Sequence, residues 1–120
     1  GDMHLLDLPS MTWTRVAAEG PAPCLSHLAV ARCGWKLVVT GGAGAGGASG
    51  AVHSFDLLER AWRTEAAALG VSQDLQVPAA AGASATLVGD RVLVAGGCTG
   101  EAWVPPEQRR YNGTCVALDA

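Results

Sequence analysis

Apolar and polar positions along this chain fall into short runs, five to seven residues long, broken by Gly, Pro and Asp. Lys36-Leu37-Val38-Val39-Thr40-Gly41-Gly42 is a β-branched apolar run that ends in a glycine pair, and Arg91-Val92-Leu93-Val94-Ala95-Gly96-Gly97 is its counterpart 55 residues later. Before each lies a run of small and apolar residues, Ser26-His27-Leu28-Ala29-Val30 and Ala83-Ser84-Ala85-Thr86-Leu87-Val88, and before those lie prolines: Pro21 and Pro23, then Pro78. A second pattern interleaves with the first. His4-Leu5-Leu6-Asp7 is followed after five residues by Trp13, and His53-Ser54-Phe55-Asp56 after five residues by Trp62. Cys115-Val116-Ala117-Leu118-Asp119 repeats its beginning without a Trp. Runs of this length with turn residues between them read as strands. The pattern predicts strands near 3–8, 12–17, 26–32, 36–41, 51–57, 61–66, 83–88, 91–96 and 114–119. Segments 18–25 and 67–80 are the connections.

The order is therefore apolar strand, turn, strand ending Gly-Gly, variable loop, strand ending Asp, turn, Trp strand. Self-similarity at this period is the mark of a repeat architecture. The combination resembles the Kelch repeat: a glycine pair after a hydrophobic strand, an aromatic-Asp pair, then a Trp about six residues on. The middle copy carries every element in Gly41, Gly42, Phe55, Asp56 and Trp62. The last keeps Gly96, Gly97 and Asp119, and the first supplies only Asp7 and Trp13. Two departures stand out: Leu118 replaces the usual aromatic, and Ala83 falls where His27 sits in the middle copy. The resemblance implies an all-β fold of propeller blades, each a four-stranded antiparallel sheet, and makes residues 1–120 part of a Kelch propeller. Residues 1–20 end one blade, 21–70 form a complete repeat and 71–120 an incomplete one. Two blades cannot close a ring, so the remaining blades are expected from a longer chain or from other copies.

Physical roles follow for the repeated residues. Gly reaches positive φ and lets backbones approach one another where the inner strand turns. Val38, Val39, Val92 and Val94 suit strands buried on both faces. Trp13 and Trp62 are large enough to fill the gap between sheets. Asp7 and Asp56 precede turns, where a carboxylate accepts backbone N–H groups.

Composition agrees with short strands. Gly is abundant at 16 residues, while the six aromatics include four Trp. With 49% hydrophobic and 16% charged residues, the chain has the apolar material for a packed interior. The net charge of −3 and a longest basic run of Arg109-Arg110 exclude a nucleic-acid footprint. No stretch is long and apolar enough for a membrane span, so no membrane partner is expected. The start, Gly1-Asp2-Met3-His4, lacks a basic segment leading into an apolar one, which leaves a cytoplasmic setting as the expectation. In that setting Cys24, Cys33, Cys98 and Cys115 are read as half-buried reduced thiols, and Asn112-Gly113-Thr114 as a chance match to a glycosylation site.

Three chemical readings compete for the function. Gly42-Ala43-Gly44-Ala45-Gly46-Gly47 matches G-x-G-x-x-G after an apolar run, and Val52, Phe55, Leu58, Trp62, Ala66 and Leu69 have helical spacing. Strand, glycine loop and helix would bind a dinucleotide. Against this, the loop is Gly/Ala throughout, the second glycine pair leads to Pro105-Pro106, and the repeated Asp-x5-Trp is unexplained. An enzyme is the second reading, since a few Kelch-like propellers are catalytic. A copper site of the galactose oxidase kind needs Tyr and His together, however, and Tyr111 is the only tyrosine. Adjacent Ser26 and His27 have their simplest role in hydrogen bonding to backbone rather than in a catalytic triad. The scattered His4, His27 and His53 offer no metal-ligand spacing, so no metal or cofactor is expected. The third reading is a protein-binding module, a scaffold or adaptor. The loop 98–113 is twice as long as its counterpart 43–50 and holds Trp103, Arg109, Arg110 and Tyr111, residue types that dominate binding hot spots. Loop 43–50 is expected to be a flexible tether. Protein binding without catalysis is the function expected.

Overall fold

A computed structural model describes residues 2–65, 79–99, 106–113 and 115–119. In chain order the strands are β1 (Met3–Asp7), β2 (Thr12–Val16), β3 (Ala29–Cys33), β4 (Lys36–Thr40), β5 (Ala43–Gly44), β6 (Gly47–Ala48), β7 (Val52–Asp56) and β8 (Ala61–Thr64). There follow β9 (Ala80–Ala81), β10 (Ser84–Val88), β11 (Arg91–Ala95), β12 (Cys98–Thr99), β13 (Arg110–Tyr111) and β14 (Cys115–Asp119). The one helical element among the described residues is a 3-10 turn at Pro106–Gln108. The protein is all-β, and every ladder between these strands is antiparallel.

Three main sheets follow one another along the chain. The first is the β1–β2 hairpin, the second the four-stranded meander β3-β4-β7-β8, and the third the three-stranded β10-β11-β14. Their registers repeat. Ala29 opens β3 and Ser84 opens β10, 55 residues later, and Lys36 and Arg91 open β4 and β11 at the same offset. The β1–β2 hairpin matches β7–β8, so that Leu6↔Trp13 corresponds to Phe55↔Trp62.

Residues opposite one another in an antiparallel pair share a face, and alternate residues take opposite faces. Ala31, Val38 and Val52 thus lie on one face of the second sheet; Val92, Val94, Val116 and Leu118 lie on one face of the third. These seven buried residues form a single core cluster between the two sheets. On the other face of the second sheet, Phe55 is 2% exposed and stacks on Trp62, with ring centroids 5.0 Å apart and planes tilted by 53°. Val38, Val39 and Thr40 are all buried, so β4 is covered on both sides, as its β-branched run requires.

Four features differ from the sequence-based expectation. The first inner strand starts at Ala29 rather than at residue 26, because His27 takes a left-handed φ of 57° that no strand accommodates. The matching left-handed residue in the next repeat is Gly82, with φ 75°, so the partner of His27 is Gly82 and not Ala83. Loop 43–50 is a β5–β6 hairpin whose Ala43 is 3% exposed, rather than a tether. Trp13 is 66% exposed, and among the described residues no sheet lies against its face of the β1–β2 hairpin. The helix required after the glycines for dinucleotide binding is also overturned, since strands β7 and β8 occupy that stretch.

Candidate partner-binding face

Where β4 and β11 end, the glycine pairs turn the chain out of the sheet. Their φ values are 72° and 89° at Gly41 and Gly42, and 79° and 88° at Gly96 and Gly97. A Cβ on Gly41 would stand 2.5 Å from the Ala80 carbonyl oxygen, and one on Gly97 would stand 2.9 Å from that of Ala81. Only glycine satisfies both the angle and the approach. The residue after each pair then bonds the segment that precedes its own repeat's first strand: Ala43 bridges Ser26, and Cys98 pairs with Ala81. Two further bonds join neighbouring repeats. Gly42 N–H donates to the Ala80 carbonyl at 2.9 Å, and Gly82 N–H donates to that of His27 at 2.9 Å.

The result is a belt of short strands along the glycine-pair end of the second and third sheets. The β5–β6 hairpin lies at one side and the three-stranded β13-β12-β9 at the other. Ser49 and Asn112 play matching parts, since the N–H of each donates to the second glycine carbonyl of its repeat, at 2.8 and 2.9 Å. Asn112 Nδ2 also donates to the Gly96 carbonyl at 3.1 Å, which ties the long excursion back to the sheet.

This belt carries the residues expected to meet a partner. Arg110 and Tyr111 form β13, the outer strand, and both are exposed; Tyr111 is 67% exposed. Arg109 is exposed just ahead of them. Trp103 lies outside the described residues. Ser26 and His27 belong to the same belt, with Ser26 Oγ 3.0 Å from His27 Nδ1 and 3.4 Å from the Ala43 carbonyl it donates to. Sequence reasoning missed that the short excursion shares the belt. Its signal was present in the Ala45-Gly46 step between small residues, which forms a two-residue hairpin turn.

The opposite end holds the aspartates. Asp56 Oδ1 accepts the N–H groups of Leu58 and Glu59, each at 2.8 Å. Asp7 Oδ2 accepts the Ser10 N–H at 3.1 Å and its hydroxyl. The Glu59 and Leu58 amides hold the Asp56 carboxyl below its ordinary range, and Ser10 does the same for Asp7 through its hydroxyl and then its amide. Asp119 is the last residue of β14, opposite Arg91. None of the four cysteines forms a disulfide, and burial raises the pKa of Cys33. Among the described residues no three His, Cys, Asp or Glu side chains gather as a metal site, and no helix is long and apolar enough to cross a membrane.

No family model and no curated protein matches the chain. The fold does recur among solved structures. The structure of YjhT superposes with a TM-score of 0.62 at 23% sequence identity, over 82% of this chain and 27% of that one. Residues of this chain thus reproduce about a quarter of a larger structure, and at this identity the likeness is one of fold.

Proposed function

We propose that the chain is part of a Kelch-type β-propeller, that β3-β4-β7-β8 is one of its blades, and that it is a non-catalytic protein-binding module. The reading is supported by sheets that repeat in register and by the meander order of the four-stranded sheet. The observation that carries the functional part is the belt at the glycine-pair end. Among the described residues it is where excursions from two successive sheets are hydrogen-bonded into a single surface, and its outer strand carries the exposed Arg110 and Tyr111. An exposed Tyr beside an Arg on a strand supplies contact area at low entropic cost and a directional cation.

A photo-crosslinking amino acid placed at position 111 tests this, with the same group at position 58, on the turn at the far end of the sheet, as the control. Crosslinks to a protein partner from 111 and none from 58 are expected, together with their loss in an Arg110→Glu background of unchanged circular dichroism. Crosslinks from 58 alone would overturn the assignment of the face.

A further inference from the structure

Asn112 is the only asparagine of the chain, and a glycine follows it. That pair has a chemistry of its own. The main-chain nitrogen of the residue after an asparagine reaches the side-chain carbonyl carbon and closes a five-membered ring. Glycine hinders the closure least, because it has no Cβ and takes up a wide range of backbone angles. The two reacting groups sit in contrasting settings. Asn112 is half-buried and held twice: its N–H donates to the Gly97 carbonyl at 2.9 Å, and its Nδ2 donates to the Gly96 carbonyl at 3.1 Å. Gly113 is exposed, and among the described residues its N–H donates to no backbone carbonyl. The electrophile is thus tethered and the nucleophile is not. The short excursion reaches its own second glycine carbonyl through Ser49, which carries no carboxamide, so of the two excursions only the long one has this chemistry.

We infer that Asn112 is a site of spontaneous deamidation, and that its conversion unfastens β13 from the glycine-pair end of the third sheet. Base takes the proton of the Gly113 nitrogen, which attacks Asn112 Cγ. The N–Cγ bond forms, the Cγ–Nδ2 bond breaks, and Nδ2 takes up a proton from water and leaves as ammonia. Water then opens the cyclic imide at either carbonyl and leaves aspartate or isoaspartate at position 112. A carboxylate accepts hydrogen bonds and donates none. The bond to the Gly96 carbonyl is therefore lost, and two acceptors face each other in its place. Isoaspartate also lengthens the main chain by one carbon between β13 and β14. The change is local: β12 keeps its pairing with β9, and β10-β11-β14 keep their ladders, because none of these uses the Asn112 side chain. The pairs Cys98↔Tyr111 and Thr99↔Arg110 lie next to the lost tether and loosen with it. Because the tether must open before Cγ is reached, the folded chain converts more slowly than the unfolded one.

Incubation of the folded chain at mildly alkaline pH, followed by peptide mapping with mass spectrometry and by enzymatic methylation of isoaspartate, tests the inference. The peptide that holds Asn112 should gain the mass of OH over NH2 and become a methyl acceptor, faster as pH rises and faster still in denaturant. Gly113→Ala, whose Cβ meets nothing within 4 Å, should keep the fold and slow conversion severalfold. In the converted chain the amides of Asn112 and of the β12–β13 pairing should exchange with solvent at least about fivefold faster, while those of Val92 and Val94 stay as in the parent. Asn112→Asp should reproduce that exchange pattern without incubation. Three results would overturn the proposal: a folded chain that stays unconverted while the unfolded one is exhausted, equal rates in the two states, or parental exchange in β12 and β13 after conversion. These readouts rest on the contacts of Asn112 with Gly96 and Gly97 and need no partner. They apply equally within a longer propeller, and they fail independently of the crosslinking at position 111.

Discussion

His27 and Gly82 do the same backbone work in successive repeats: each turns left-handed just before an inner strand, and one carbonyl meets the other's amide. A side chain at such an angle costs on the order of 1 kcal/mol. His27→Gly should therefore raise the unfolding free energy by up to about 1 kcal/mol. Gly82→Ala, where a Cβ would meet nothing within 4 Å, should lower it by a similar amount. Gly41→Ala adds a backbone collision to the same strain and should cost more than Gly82→Ala; denaturant melts of the three variants check the order. A different residue-scale effect governs acid stability. Asp7 and Asp56 have lowered folded pKa values, so their turn contacts stabilise the protein above the ordinary carboxylate pKa, 3.8 in the free residue. That contribution is lost as pH falls through the still lower folded values. Asp56→Asn keeps an acceptor for the Leu58 and Glu59 amides but cannot titrate, so its stability should fall less between pH 5 and pH 2 than that of the parent, as followed by melting temperature. The glycine pairs and the aspartates were legible in the sequence because each has one chemical reason to recur. The left-handed His27 was not, since nothing in its identity reports a φ that only the repeat register demands.

At the scale of elements, the same motif is worth different amounts in different settings. Trp13 and Trp62 occupy matching positions in matching hairpins, yet one is exposed and the other stacks on a buried Phe55. Trp62→Ala should cost about 2 kcal/mol or more, whereas Trp13→Ala should stay within about 0.5 kcal/mol in dilute solution; chemical denaturation of both separates the two. Strand positions could be read from the chain to within a few residues because each run is bounded by Gly, Pro or Asp. Which face of a strand is covered could not, because alternation gives the two faces without saying what lies against either. The belt escaped the sequence reading for a related reason. Short strands such as β9, β12 and β13 pair with partners distant along the chain, and the Ala80 carbonyl of β9 accepts the Gly42 amide of the preceding repeat, which no local periodicity encodes.

Taken whole, the molecule is a short stack rather than a sphere. Its principal extents are 44 × 32 × 25 Å, and its radius of gyration of 14.8 Å exceeds the roughly 13.6 Å of a compact chain this long. Stability in such a stack is unevenly distributed, because β4 and β11 have strands on both sides and contribute to the core while β1 and β2 have only each other. Amide hydrogen exchange should be slowest in Val38, Val39, Val92 and Val94 and fastest, among the strands, in the β1–β2 hairpin.

Eleven residues separate β4 from β7 and nineteen separate β11 from β14, yet the strands on either side meet in the same register in both repeats. The sheet is indifferent to what is spliced between the glycine pair and the strand that follows. The same tolerance marks the Ala45-Gly46 turn as the place to graft a foreign peptide for display.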